Sequence, residues 1–386
     1  MTPAARLSAA IEILDRHLAG MPAEQALTNW ARASRFAGSG DRHAVRDLVF
    51  DAIRCRRSFA VLGGGETGRG LILGGLRAAG HDPAPLFSGE GHAPPPLSDS
   101  DRGQTPRGAA ALDLPDWLLP ALSDALSGDL AAVAEIMRHR APVFLRVNPR
   151  RAAPAAAIAA LRDEGIVTEP HPLAPFALLV TANARRIQAS TPYLQGMVEL
   201  QDAASQAVVA ALPLADDMKV LDFCAGGGGK ALAMGAMARL DLCAHDADPR
   251  RMRDLPARAA RAGLAVTQIA TADLPRHAPF DLVLIDAPCS GSGSWRRAPE
   301  GKWLLTPEKL ADLLQVQATI LQQAGALVRP GGHLAYATCS LLPAENGAQV
   351  DGFLARASGW RQITRRSFTP LEGGDGFFVA VLRRDG

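Results

Sequence analysis

The chain has 386 residues, 48% of them apolar, and a net charge of only +2 at neutral pH. That length suits two or three domains with real cores, and the charge neither demands nor excludes a nucleic-acid partner. Five cysteines, an odd number without Cys-x-x-Cys or Cys/His ligand spacing, argue against a disulfide framework and against a bound metal. The opening "MTPAARLSAAIEILDRHLAG" carries Glu12 and Asp15 within its apolar pattern and has no signal-peptide core. No apolar run reaches membrane-spanning length. The expectation is a soluble, reduced, cytoplasmic protein that works as a monomer, without metal or membrane.

Residues 4–62 are alanine-rich with helical apolar spacing, as in Ile11, Leu14 and Leu18, then Val45, Leu48, Val49 and Ile53. Arg46, Arg54, Arg56 and Arg57 cluster in "RDLVFDAIRCRRSF", which reads as a solvated helix face or as a phosphate-contacting patch. From about 63 to 108 the chain becomes rich in Gly, Pro, Ser and Asp, and its second stretch, from His81, reads as a mobile insertion. Order resumes at "LDLPDWLLPALSDAL". Residues 142–200 alternate short apolar runs with polar breaks, a βαβ-like rhythm that suggests a small α/β module.

From Gln201 onward the pattern is that of a doubly wound sheet. Strands are expected at "MKVLDF", "DLCAHD", "VTQIA", "FDLVLID", "GHLAYAT" and "GFFVAVLR". A helix beginning at Thr306-Pro307-Glu308 and ending before "RPGG" separates the fourth from the fifth.

"VLDFCAGGGGKALAM" is a strand, a glycine turn and a helix. The phosphate-loop pattern fails because Cys224 stands where glycine is needed and Ala231 where Ser or Thr is needed. The second strand ends in "AHDAD", with Asp246 falling 20 residues after Gly226, where a carboxylate can bind both hydroxyls of a ribose. The cofactor therefore carries an adenosine, as NAD and S-adenosylmethionine both do.

Two cysteines decide between these. "LIDAPCSGSG" puts Asp286 at the end of the fourth strand with Cys289 just beyond, and "YATCSLLPAEN" puts Cys339 at the end of the fifth. Open α/β sheets bind ligands at the carboxyl ends of their strands, so all three residues point into one crevice. Hydride transfer has no need of two thiols there. Methylation of carbon 5 of a pyrimidine does, because a thiolate adding at carbon 6 makes carbon 5 nucleophilic. A carboxyl group at the base edge would stabilise the adduct.

The stretches "GMVELQDAASQ", "VLDFCAGGGGK", "DLVLIDAPCSGSG", "LAYATCSLLPAEN" and "DGFFVAVLRR" resemble, in order, an RNA (cytosine-5)-methyltransferase of the RsmB/Nop/Sun family, bacterial RsmB type. The resemblance covers about residues 140–386, and the "APCS" and "ATCS" pair is its most specific part. It implies that Cys339 is the nucleophile, that Cys289 helps release the methylated base, and that Asp286 lies between cofactor and base. It further implies an S-adenosylmethionine loop formed by Cys224, Ala225, Gly226, Gly227, Gly228, Gly229 and Lys230, a ribose ligand in Asp246 and an adenine contact in Asp273. Arg251 also matches a family position near the cofactor strand. Two departures stand out. Gly226-Gly227 replace the family's Ala-Pro step, which leaves the unbound loop more flexible, and Pro256 interrupts a helix that the family runs through.

The implied fold is α/β. A NusB-like all-α RNA-binding domain (1–112, with the insertion at about 63–108) precedes linker helices and a small RNA-recognition-like subdomain (113–200). A Rossmann-like methyltransferase domain (201–386) follows. The implied partner is RNA, small-subunit ribosomal RNA first, with tRNA or another RNA as the alternative. A non-catalytic RNA-binding assembly factor is the reading of another class, and the intact Asp286, Cys289 and Cys339 argue against it.

Overall fold

The computed structural model describes residues 1–386 and divides them into two compact units. One comprises Met1–Arg140 with Trp295–Leu304, the other Ala141–Ser294 with Leu305–Gly386. The expected boundary at 112/113 is therefore displaced. Helices Leu119–Leu126 and Leu130–Met137 belong to the helical unit, and a short segment beyond the Cys289 loop completes that unit. No helix is long and apolar enough to cross a membrane.

The helical unit packs Pro3–Leu18, Ala23–Ala33, Ser39–Arg54 and Gly68–Ala78 around Ile13, Leu14, Val45, Val49 and Leu73, all fully buried. The glycines that suggested a loose stretch are close-packing residues instead. A Cβ at Gly63 would meet the Gly70 carbonyl oxygen at 1.7 Å, and one at Gly74 would meet that of Phe59 at 1.9 Å. Only glycine allows such approach.

The segment after Ala78 is irregular but held by specific bonds, which corrects the expectation of a mobile insertion. Arg69 makes two 2.9 Å bonds to Asp101 and donates to the carbonyls of Pro95 and Pro96 at 3.0 Å. Phe87 is buried beneath the same guanidinium. The four arginines read as a solvated face or a phosphate-contacting patch pair within the helical unit: Arg46 with Glu24, Arg54 with Asp51, Arg56 with Glu66 and Arg57 with Asp116.

In the second unit, β1 (Val143–Val147), β2 (Val167–Pro170), β3 (Ala177–Ala182) and β4 (Val198–Leu200) form an antiparallel sheet in the order β2-β3-β1-β4. It is tied to the helix Leu255–Ala262 by a part-buried bond from Asn148 Nδ2 to the Ala262 carbonyl at 2.9 Å.

The larger sheet contains β5 (Lys219–Asp222), β6 (Asp241–Ala244), β7 (Thr267–Gln268), β8 (Phe280–Asp286), β9 (Val328–Thr338), β10 (Trp360–Phe368) and β11 (Phe377–Arg384). Its order is β10-β11-β9-β8-β5-β6-β7, with β11 antiparallel to both neighbours and the rest parallel. The middle of β8, Leu282 to Ile285, is continuously apolar because both faces are covered. Leu282 and Leu284 enter one core, Val283 and Ile285 the other. The chain turns from β6 and β7 on one side of β5 to β8 and β9 on the other, so a crevice opens at the β5/β8 strand ends. β10 was not expected: its exposed, arginine-rich edge carries no apolar alternation.

Candidate active site

The glycine turn leaves β5 and enters helix Gly229–Met237. Gly226 and Gly228 take φ of +50° and +80°, conformations that side chains disfavour. A Cβ at Gly228 would also lie 2.2 Å from Leu255 Cδ1. The loop is tied down despite its composition. Gly226 N–H donates to Asp246 at 2.9 Å, Arg258 donates to the Gly227 carbonyl, and Arg146 donates to that of Gly229 at 2.8 Å. Pro256 starts the helix Leu255–Ala262 rather than interrupting one, a position where proline's missing N–H costs nothing.

Beside the loop lies a cleft of about 670 Å³. Of the residues singled out from the sequence, Cys224, Ala225, Gly226, Gly227, Gly229, Lys230, Asp286, Cys289 and Cys339 line it. Gly228, Asp246 and Asp273 do not. Gly228 is turned against Leu255; Asp246 is buried at the end of β6, paired with Arg251 at 3.1 Å; Asp273 pairs with Arg276 at 3.3 Å and is partly exposed. Gln201, Ser205, Arg251 and Arg258 also line the cleft. Arg251 follows the β6 strand, and Gln201 and Ser205 lie within the matching "GMVELQDAASQ" stretch, where the sequence alone assigns them no role.

At the cleft mouth the parallel register pairs Asp286 of β8 with Ala337 of β9, so the residues beyond each strand emerge together. Cys289 Sγ and Cys339 Sγ are 3.4 Å apart. Lys230 Nζ bonds Asp286 at 2.6 Å and lies over the Phe377 ring at 5.0 Å. Burial alone would lower the Lys230 pKa, but the Asp286 carboxylate reverses this and holds it above the ordinary value.

The two thiols are driven apart. The hydrogen bond from Cys289 lowers Cys339, against burial and Asp286 and with help from Lys230. The same bond and burial push Cys289 up, and Glu345 adds to the rise. The pair is biased so that Cys339 gives up its proton more readily than Cys289. Below them Asp222 is fully buried with neither carboxylate oxygen hydrogen-bonded, and burial and Asp286 push it up to about 7.

The site fits an adenosine-bearing cofactor on its own terms. It offers a glycine turn at a helix start, a buried carboxylate at the end of β6, and a neighbouring ion pair. No group of three or more His, Cys, Asp or Glu side chains is placed to hold a metal.

Comparison with known proteins gives the same picture. The family model described as 16S rRNA methyltransferase RsmB/F matches residues 209–383, and the RsmF/B-like ferredoxin-like domain model matches 114–186. Ribosomal RNA small subunit methyltransferase B of Salmonella arizonae is 34% identical over 282 residues, covering 69% of this chain and 66% of that one. The Klebsiella pneumoniae protein of the same name is 34% identical, covering 69% and 65%. The chain thus spans about two thirds of the length of these relatives. Among solved structures, PH0851 matches with a TM-score of 0.77 at 21% identity, covering 100% of this chain and 99% of that one. A methyltransferase homologue from Pyrococcus horikoshii gives 0.63 at 23%, covering 72% and 97%. At these identities the likeness is one of fold.

Proposed function

The chain belongs to the RsmB/F methyltransferase family, and from that membership we propose that it methylates carbon 5 of a cytosine in RNA, small-subunit ribosomal RNA in particular. S-adenosylmethionine is the methyl donor. The observation that carries this reading is the pair of sulfurs 3.4 Å apart at the mouth of the glycine-loop cleft, beside the Lys230–Asp286 ion pair.

Residues Cys224 to Lys230 would cradle S-adenosylmethionine, and Asp246 and Asp273, set back from the cleft lining beside Arg251 and Arg276, would meet its ribose hydroxyls and its adenine. When bound, the cofactor supplies an electrophilic methyl group. The target cytosine leaves any stack to reach the cleft. Cys339, as thiolate, adds to carbon 6 and makes carbon 5 nucleophilic toward that methyl. Lys230 favours the thiolate and holds the Asp286 carboxylate, which accepts from the exocyclic amine of the base. Once carbon 5 carries the methyl, its proton passes to water in the cleft, the carbon 5–carbon 6 double bond re-forms, and the carbon–sulfur bond breaks with its electron pair returning to Cys339. Cys289, kept as a thiol, donates a hydrogen bond to the departing sulfur.

RNA carrying 5-fluorocytidine tests this, because fluorine cannot leave as the proton does and the enzyme stalls on its nucleophile. The expected result is a denaturation-resistant adduct on Cys339, absent in Cys339→Ala. An adduct on Cys289 would reverse the two roles. Binding of S-adenosylmethionine without adduct or methyl transfer on ribosomal or transfer RNA would sink the substrate reading.

A further inference from the structure

Glu345 lies just after the Cys339 loop with no exposure to solvent. Four neutral donors converge on its carboxylate. Oε1 accepts from the Ser290 backbone N–H at 2.8 Å and from Gln317 Nε2 at 3.0 Å. Oε2 accepts from Ser290 Oγ and Ser340 Oγ, each at 2.5 Å. Ser290 follows Cys289, and Ser340 follows Cys339. One side chain therefore grips the residue next to each thiol.

Its surroundings reinforce the grip. Gln317, fully buried on helix Pro307–Ala326, also donates to the Pro288 carbonyl at 2.9 Å, on the other flank of Cys289. The Tyr336 hydroxyl donates to the Glu345 carbonyl at 2.7 Å, and Asn346 Nδ2 to that of Ser340 at 2.9 Å. A second bridge joins Ser292 Oγ to Ser340 Oγ at 2.9 Å.

Fold stability alone does not account for a charge here. A buried carboxylate is tolerated only when hydrogen-bonded, and well-packed apolar groups often serve a core equally well. What a carboxylate adds is two oxygens with four acceptor positions and short charge-assisted bonds, enough to lock two loops at once. We propose that Glu345 is a positioning residue that clamps the two cysteine loops together, setting the sulfur–sulfur contact and which thiol carries the proton. The catalytic half of this rests on the methyltransferase reading above.

The charge also biases the pair. Cys289 faces Cys339, Glu345 and Tyr336, whereas Cys339 faces Cys289, Lys230, Asp286 and Ser294. Glu345 on the Cys289 side and Lys230 on the other, against Asp286, keep Cys339 the more reactive sulfur.

The test compares wild type with Glu345→Gln, which keeps size and removes charge. Limiting iodoacetamide is applied between about pH 6 and 9, and label on each cysteine is read by mass spectrometry. Wild type should label Cys339 first; in Glu345→Gln the preference should fall about tenfold and its pH profile should change shape. Methyl transfer should lose about 10²-fold in kcat, as expected for small misplacement of a reacting group, with S-adenosylmethionine binding and the KM for RNA within about twofold. If Glu345→Gln does not fold, Ser340→Ala removes one arm and should move the labelling ratio in the same direction by less. Wild-type labelling preference and kcat in a folded variant would overturn the clamp. Labelling uses no RNA, so a failure of the substrate reading and a failure of the clamp are told apart.

Discussion

The two units use buried charge differently. In the helical unit, buried ionic groups hold chain that has no regular structure of its own. Asp101 anchors the segment after Ala78 through Arg69, and Asp113 accepts from Ser58 N–H and Oγ at 2.8 and 2.7 Å and pairs with Arg138 at 3.3 Å. In the α/β unit, they gather at the ends of β5, β8 and β9 and shift one another: Asp222, Lys230, Asp286, Cys289, Cys339. Burial of a titratable group therefore marks chemistry only where such groups face each other across an open cleft. Where a charge ends on a backbone or a dedicated partner it holds chain in place, as Asp101 and Asp113 do in the helical unit and Glu345 does for the cysteine loops.

This contrast can be broken by mutation. The largest effect is expected for Cys339→Ala, which should reduce methyl transfer about 10³-fold or more while leaving the urea unfolding midpoint nearly unchanged. Asp113→Ala should do the opposite. Removing one partner of a buried pair and leaving the Ser58 N–H unmet costs about 3 kcal/mol, read by denaturation, with the turnover of the folded fraction preserved.

Lys230→Met tests whether the strand-end charges act on one another. Without the ammonium the Cys339 thiol rises, so the acid limb of the rate–pH profile moves upward and turnover at neutral pH falls about tenfold. An unmoved limb would place Lys230 with the structural charges. Smallest is a pH effect on the helical unit. Arg69 holds the Asp101 carboxyl well below the ordinary carboxylate range, burial notwithstanding. Its stabilising contribution is thus full above the unfolded value of about 4 and is lost as pH falls below it. Asp101→Asn should remove that part of the acid slope in a urea titration.

The same contrast governs what could be read from sequence. The β8 run and the Thr306-capped helix were legible because apolar period and cap chemistry are local. The cysteine pair was legible because both thiols follow strands that end in the same crevice. Glu345 and Arg146 were not, since their roles arise from bonds across 55 and 83 residues of chain. The glycines of helix Gly68–Ala78 misled because composition cannot distinguish a loose loop from two backbones in contact. β10 escaped because an exposed edge strand needs no apolar face.

The helical unit is discontinuous in sequence, and this has a consequence for synthesis. Its last piece is Trp295–Leu304, where Lys302 Nζ donates to the Arg54 carbonyl at 2.9 Å, Trp303 Nε1 to that of Ile53 at 2.6 Å, and the Arg296 carbonyl accepts from Arg54 at 2.9 Å. Residues 1–140 leave the ribosome first, yet residues 141–294 must be translated before that piece exists. At typical elongation rates the delay is on the order of ten seconds. During it the nascent helices must wait without the bonds that Arg296, Lys302 and Trp303 supply, with Arg54 held by Asp51 alone, so the N-terminal region matures only after most of the catalytic region has been made.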